Sequence, residues 1–138
     1  MATTLSRPYG ILVPIERGSS GYFNQSYDIL EQMRSNLTTL LKTRPGERRM
    51  NPSFGTGLYA VLFEFNSEEL VPIVTNIIKN DVAKFLPQIV VLAVNVDTST
   101  QQRNIYTVSV SVTFAVNGVL NPGNQTVNLS FSQPIAWT

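Results

Sequence analysis

The sequence predicts a single α+β domain of two layers, in which N-terminal helices pack on a C-terminal three-stranded antiparallel meander. Its 138 residues are the length of one domain. Apolar residues recur at helical spacing as far as residue 85, and after Pro87 they alternate at the spacing of strands. Because helices come first and strands follow consecutively, the strands are expected to form one sheet with the helices on one face.

The N-terminal part is predicted to form an extended arm over residues 1–25, followed by a helix over residues 26–43. Pro14 interrupts the apolar run at residues 11–15 and suits an arm or an edge strand rather than a central strand. Ser26 or Asn24 is expected to cap the helix, which stops before Pro45-Gly46. Its apolar face is formed by Ile29, Leu30, Met33, Leu37, Leu40 and Leu41.

Two more helices are predicted before the strands, a short one over residues 57–65 and a longer one over residues 66–85. Asn66 can cap the longer helix, and Glu69 three residues later can reach back to it. Because proline is tolerated only in the first turn of a helix, Pro72 leaves a later start open.

Three strands are predicted over residues 89–97, 104–117 and 125–132, so the domain covers residues 26–132 and a short tail covers 133–138. Turn signals separate the last two strands, at residues 117–118 and 121–124. The residues expected to face the core are Tyr106, Val108, Val110, Val112, Phe114 and Val116 in the middle strand, and Val127, Leu129 and Phe131 in the last.

The composition excludes several classes of function. There is no cysteine and no histidine, which rules out disulfides, thiolate or imidazole metal sites, and Ser-His or Cys-His nucleophilic pairs. The net charge of +1 gives no bulk attraction for nucleic acid or an anionic membrane. Charged residues make up 14%, against roughly 25% in ordinary domains, which suits a surface that becomes an interface. We therefore expect no cofactor, nucleic acid, membrane or small-molecule substrate, and the start of the sequence does not read as a signal peptide.

The most densely charged stretch is the loop at residues 44–56, which holds three arginines and one glutamate among prolines and glycines. Arginine forms bidentate pairs with carboxylates and is favoured at interfaces, so Arg48 and Arg49 are expected to face a partner while Glu47 folds the loop. The alternative is a solvated loop in which Glu47 merely pairs with a neighbouring arginine.

The turn at Phe54-Gly55 superficially resembles a phosphate-binding turn. It lacks the preceding strand and the Lys-Ser/Thr pair that such a turn needs. We therefore expect Phe54 to anchor the loop on the core and Gly55 to permit the bend.

The segment LLKTRPGERRMNPSFGTGLYAVLFE, residues 40–64, resembles the signature of the short baseplate wedge proteins of contractile phage tails. That family includes GpW-type baseplate proteins and the TssE subunit of type VI secretion. Its members share a helix ending in a Pro-Gly-Glu-Arg loop, an Asn/Pro-X-Phe-Gly turn, and a short helix ending in Leu-Phe-Glu. The matching residues are Pro45, Gly46, Glu47 and Arg48, then Pro52, Phe54 and Gly55, then Leu62, Phe63 and Glu64. The resemblance covers residues 22–132.

This sequence departs from the family where the long helix meets the first strand. Many members carry Glu-Pro-Arg there, a motif tied to docking on neighbouring wedge subunits, whereas this chain has Leu86-Pro87-Gln88. Because both charges are lost, a more apolar contact would have to replace the ion pair. Alternatively, Pro87 simply ends the helix.

The resemblance implies a structural subunit rather than an enzyme, assembled in the bacterial cytoplasm into the baseplate of a virion, with about six copies in a ring. Its partners would be baseplate wedge proteins and the tail sheath protein, with the tail tube as a further candidate. Family members start the sheath by offering strand edges to sheath arms. Exposed edges accept extended peptides through main-chain hydrogen bonds, so the strand of Val127 and Leu129 is the candidate edge unless residues 11–15 cover it.

Two alternative functions come from other classes. A tail-associated cell-wall hydrolase, lysozyme-like, would need two carboxyl groups facing each other across a cleft, about 5–9.5 Å apart. The carboxylates near the centre of the chain are Glu47, Glu64, Glu68, Glu69 and Asp81. A regulatory binding protein is the other alternative, because a bacterial stress-response anti-adaptor is related to the same family.

Overall fold

The structure is a computed structural model that describes residues 7–19, 21–62, 67–101, 105–118 and 124–134. Helices precede a three-stranded antiparallel sheet with the order β3-β4-β5, so the predicted α+β fold is confirmed. The elements are β1 (Gly10–Ile11), β2 (Gln25–Ser26), α1 (Ile29–Lys42), α2 (Leu58–Leu62), α3 (Ser67–Phe85), β3 (Ile89–Gln101), β4 (Ile105–Val116) and β5 (Gln125–Pro134). In the helical layer, α1 packs against β5 and α3 against β3.

The start of α1 is capped by Asp28, so the predicted cap at Ser26 or Asn24 is wrong. The Asp28 carboxylate accepts a hydrogen bond from the Leu30 N–H at 3.1 Å. Ser26 lies buried in β2, and its hydroxyl donates instead to the Asp28 carbonyl at 2.7 Å. Because Ser26 pairs in β2, the helix begins at Ile29 and not at the predicted residue 26.

The described residues of the arm, 7–19 and 21–27, fold back on themselves and lie on α1. Gly10 pairs with Ser26 and Ile11 with Gln25 in a short antiparallel ladder. The Val13 N–H donates to Ser35 Oγ of α1 at 3.2 Å, which ties the arm to the helix. Among the described residues the arm belongs to a separate two-stranded sheet, so residues 11–15 do not pair with an edge of the main sheet.

Helix α3 begins at Ser67, and Pro72 lies in its second turn rather than its first. Proline inside a helix removes one hydrogen bond and costs about 3 kcal/mol. Burial of the apolar face offsets this cost, because Leu70, Val74, Ile78 and Val82 are all buried. The expected cap Asn66 and the predicted end of the preceding helix at residues 63–65 lie outside the described residues.

The hairpin of β3 and β4 is longer than predicted. Its register continues to the pair Gln101 and Ile105, so β3 extends beyond its predicted end at residue 97. Threonines at 98 and 100 have high β propensity, which an interpretation based on polarity underestimates. Strand β5 likewise extends to Pro134, beyond the predicted end at residue 132.

A bulge in β3 explains why both faces of this strand are apolar in sequence. The register shifts between Val91 and Ala93, so Leu92 has no partner in β4. Residues 89 and 91 face the core before the bulge, and residues 94 and 96 do so after it. Val90 and Leu92 are therefore exposed on the outer face.

The core fills the space between the helices and the inner face of the sheet. The buried residues are Leu37, Leu40, Leu41, Leu58, Leu62, Leu70, Val74, Ile78, Val82, Ile89, Val108, Val110, Val112, Phe114, Val116, Val127, Leu129 and Phe131. This set contains the alternating positions predicted for β4 from Val108 onward and for β5. The side chain of Tyr106 lies outside the described residues.

Candidate docking surfaces

The loop at residues 44–56 is closed on itself by Glu47. The Glu47 carboxylate accepts a hydrogen bond from the backbone N–H of Arg44 at 3.1 Å. Its other oxygen lies 4.0 Å from Nε of Arg44. This exposed ion pair contributes little energy by itself. Its effect is to hold the loop closed. Among the described residues, Glu47 forms its ion pair with Arg44 and not with Arg48 or Arg49.

Phe54 rests on the C-terminal end of α3. Its ring meets that of Phe85 edge to face, with centroids 5.2 Å apart. The guanidinium of Arg48 lies over the Phe54 ring, 4.0 Å from its centroid. The Lys84 ammonium lies 5.0 Å from the centroid of Phe85. Two cations and two rings thus form one continuous stack that joins the loop to α3.

Gly55 occupies a position that no other residue fits. Its φ is +134°, and a Cβ built there would lie 2.7 Å from the carbonyl carbon of Arg44 and the carbonyl oxygen of Thr43. A hydrogen bond of the next residue holds this close approach in place. The Thr56 N–H donates to the Thr43 carbonyl at 2.9 Å. The loop backbone therefore closes directly on the end of α1.

A second arginine stack lies on the other side of the loop. The guanidinium of Arg44 is 3.7 Å from the centroid of the Tyr59 ring, and Tyr59 meets Phe131 of β5 with centroids 6.3 Å apart. Neither Arg44 nor Tyr59 is among the predicted site residues. Their contact crosses the loop, so no regular spacing in the sequence indicates it.

Leu86-Pro87-Gln88 forms the turn from α3 into β3, immediately beside Phe85. Leu86 is half-buried against the core, whereas Pro87 and Gln88 are exposed. The Gln88 carbonyl accepts the Asn117 N–H at 2.9 Å, and this bond holds the turn against the end of β4. Pro87 therefore ends the helix and is also accessible to a partner.

We call the surface made by this loop and turn the loop face. The structure places most of the predicted site residues there: Glu47, Arg48, Arg49, Pro52, Phe54, Gly55, Leu86, Pro87 and Gln88. Pro52 is exposed, and its carbonyl accepts the Gly46 N–H at 2.7 Å. Gly55 and Leu86 support the surface from below, because Gly55 is buried and Leu86 packs on the core.

Val127 and Leu129 belong to a second surface, the outer edge of β5. Both side chains point into the core, so the groups that β5 can offer a partner here are its main-chain N–H and C=O. Among the described residues neither β3 nor β5 pairs with a strand on its outer side. A cavity of about 310 Å³ lies beside Val127 and Asn128, between β5, α1 and the arm.

Of the carboxylates near the centre of the chain, Glu47, Glu68, Glu69 and Asp81 lie within the described residues. Glu68 and Glu69 are exposed in the first turn of α3, and Glu64 lies outside the described residues. Burial raises the pKa of Asp81, and nearby Lys84 lowers it. In the part of the chain that the structure describes, no three carboxylates are grouped so as to hold a metal ion. No helix in the same part is both long and apolar enough to cross a bilayer.

Residues 28–119 match the family described as Baseplate wedge protein gp25, which is more than half of the chain. The chain belongs to this family. The match includes every residue of the loop face, whereas the arm and β5 lie outside it. No curated protein matches the sequence.

Solved structures similar to this chain share the same fold. A protein in the anti-feeding prophage baseplate is 19% identical with a TM-score of 0.58, covering 86% of this chain and 81% of its own. One in the post-contraction pyocin R2 baseplate is 23% identical with a TM-score of 0.56, covering 75% and 99%. A candidate tail lysozyme from Geobacter sulfurreducens is 20% identical with a TM-score of 0.55, covering 80% and 95%. At these identities the similarity establishes the family fold.

Proposed function

We propose that this chain is a structural subunit of the baseplate of a contractile phage tail. It docks on wedge proteins through the loop face and offers the edge of β5 to an extended arm of the first sheath ring. Family membership and the similarity to proteins of two baseplates support the role. One observation carries the proposed mechanism. Among the described residues, no strand pairs with the outer edge of β5, and an open cavity lies beside that edge.

The edge of β5 is better suited to accept a strand than the edge of β3. Strand β3 contains a bulge at Leu92 and the charged residue Asp97, two features that discourage edge pairing. Strand β5 has no charged residue, and it pairs with β4 in continuous register. The adjacent cavity leaves room for side chains of an added strand, while its main chain would bond to β5.

The loop face supplies the proposed contact with wedge proteins. Its arginines can bond to polar groups of a partner, and Pro87 with the stem of Gln88 offers an uncharged contact beside them. This arrangement provides the more apolar docking expected from the loss of the family's Glu-Pro-Arg charges. The anti-feeding prophage baseplate is described with 6-fold symmetry, which supports a ring of six copies. Assembly in the bacterial cytoplasm and a place in the virion are parts of the same proposal.

The edge assignment is tested by placing one lysine on each outer strand. Asn128 of β5 and Asn95 of β3 are both exposed asparagines, so the two substitutions are matched. Lysine on an edge strand opposes pairing with an incoming strand. Asn128→Lys should reduce capture of the sheath protein by about tenfold in a pull-down, and Asn95→Lys should not. Loss with Asn95→Lys alone would assign the role to β3 instead.

The loop face is tested with wedge proteins as the captured partners. The double variant Arg48→Ala, Arg49→Ala should fold normally but lose capture of wedge proteins. The control Arg7→Ala, Arg17→Ala removes the same charge from the exposed arm and should retain it. Equal capture by both variants would show that the loop face is not the docking site. Failure of the wild-type chain to capture either wedge or sheath proteins would reject the baseplate role.

Cell-wall hydrolysis is the second candidate, because one similar structure is named as a candidate tail lysozyme and two carboxylates, Glu16 and Glu31, line the cavity beside β5. Our proposal is that the chain performs no catalysis. The purified chain should therefore leave a cell-wall suspension turbid. Clearing that disappears in Glu31→Gln but not in Glu68→Gln would establish hydrolysis at the cavity instead.

A further inference from the structure

Positive charge is concentrated where α1 ends and the loop face begins, although the chain as a whole is nearly neutral. Residues 42–49 hold four of the ten Lys and Arg residues and one of the nine Asp and Glu residues, a net charge of +3. The other six cations and eight acids give the rest of the chain a net charge of −2. The segment that leads into the proposed docking site therefore carries an excess of positive charge, while the rest of the chain is net acidic.

Arg48 is positioned by its contact with Phe54 in a way that suits a planar acidic group. The guanidinium of Arg48 lies 4.0 Å from the centroid of the Phe54 ring, which is itself fixed against Phe85. A guanidinium stacked on a ring through its face keeps its in-plane N–H donors available, and these donors match the two oxygens of a carboxylate. Because the side chain is already ordered, less entropy is lost on binding.

Arg48 and Arg49 are not neutralised within the described part of the molecule. The ion pair there joins Arg44 to Glu47, and no described carboxylate oxygen lies within 4.0 Å of the side-chain nitrogens of Arg48 or Arg49. Lys84 differs, because Asp81 one turn earlier interacts with it electrostatically. The excess charge therefore lies at the outer part of the loop.

An apolar residue accompanies these two cations. Met50 follows Arg49 directly and is 98% exposed, the highest exposure among the large hydrophobic residues that the structure describes. Methionine adapts its shape to irregular apolar surfaces and is favoured at interfaces. A partner that fits this site therefore combines negative charge with an apolar contact. A nucleic-acid backbone is a poorer match, because it requires a longer stripe of cations than this compact end provides.

We propose that the loop face recognises an acidic segment of its protein partner, in which carboxylates flank an apolar side chain. The carboxylates bind Arg48 and Arg49, and the apolar side chain packs on Met50. This inference rests on the proposed docking function and adds the chemistry of the partner.

Binding of labelled synthetic peptides to the full chain, followed by fluorescence anisotropy, tests this chemistry. The probe is Glu-Asp-Leu-Leu-Asp-Glu, and the control peptide Lys-Lys-Leu-Leu-Lys-Lys has the same apolar centre. The acidic peptide should bind and weaken as salt rises from about 0.05 M to about 0.5 M, and the basic peptide should not bind. Arg48→Glu, Arg49→Glu should weaken binding at least about tenfold, whereas Arg7→Glu, Arg17→Glu should change it less than about twofold.

Arg48→Lys tests whether binding depends on bidentate hydrogen bonds from the guanidinium or on positive charge alone. It keeps the charge and loses the planar stack on Phe54, so about a threefold to tenfold weakening is expected. Thermal melts of the variants should stay close to that of the wild type, because the replaced side chains are exposed and an exposed cation–π contact contributes only about 0.5–1 kcal/mol.

Equal binding by the two charge-reversed variants, or tighter binding of a single-stranded oligonucleotide of equal charge, would overturn the inference. If wild type captures wedge proteins through Arg48 and Arg49 but binds no acidic peptide, the acidic chemistry is wrong and the docking function stands. If wild type captures no wedge protein at all, the docking function itself fails.

Discussion

Replacing Gly55 with alanine tests the geometry on which the loop face depends. At a φ of +134° an alanine would be strained by about 1–3 kcal/mol. Its Cβ would also lie 2.7 Å from backbone atoms of Thr43 and Arg44, which cannot rotate away as a side chain would. Relief of such an overlap typically costs a further amount of about 1–3 kcal/mol. Gly55→Ala should therefore destabilise the fold by about 2–6 kcal/mol.

Two other glycines of the same loop separate the two contributions. Gly46 has a φ of +91° but open space where a Cβ would be, so Gly46→Ala should cost about 1–2 kcal/mol from backbone strain alone. Gly57 also has open space and no left-handed φ, so Gly57→Ala should change stability by about 0.5 kcal/mol or less.

Urea denaturation followed by circular dichroism measures the three changes. In a thermal melt, Gly55→Ala should lower the melting temperature by about 6 °C or more. The expected order of destabilisation is Gly55, then Gly46, then Gly57. If Gly55→Ala were as stable as Gly57→Ala, the close approach of the loop to the end of α1 would be refuted.

Three further predictions concern the core, the Phe54 anchor and a partly buried acid. Leu40→Ala should cost about 2–5 kcal/mol in urea denaturation because Leu40 is 0% exposed, while Met50→Ala should change stability by about 0.5 kcal/mol or less. Phe54→Leu removes the ring contacts with Phe85 and Arg48 and should cost about 1–2 kcal/mol, and an unchanged urea midpoint would contradict the anchor role. Burial raises the pKa of Asp81 above 3.8 although Lys84 lowers it, so the folded state binds the proton more tightly than the unfolded state. The ionised form then destabilises the fold at neutral pH. Asp81→Asn should be more stable than wild type at pH 7, and the difference should disappear as the pH falls from the raised pKa through 3.8; an advantage that grew at low pH would show the opposite shift.

The order and type of the main elements could be predicted from local patterns alone. Helical spacing of leucines identified α1, and strict alternation from Val108 to Val116 identified the buried face of β4, because each pattern reflects the geometry of a single element. The signature at residues 40–64 indicated the family through its amino acids alone, and the match to residues 28–119 confirms it. Predicted boundaries were less accurate, since Ser26 belongs to a strand pair rather than to a helix cap.

The amino-acid sequence alone specified the helices and the alternating strands. Its composition also showed that cysteine and histidine are missing and that the loop is positively charged. Which residues meet across the chain depended on the complete fold. The fold placed Phe54 on Phe85, stacked Arg44 on Tyr59, shifted the face of β3 at Leu92, and paired the arm with itself rather than with the edge of β5. The physical reason is that local propensity acts over a few residues, whereas packing, strand register and charge pairing depend on atoms brought together by the whole fold.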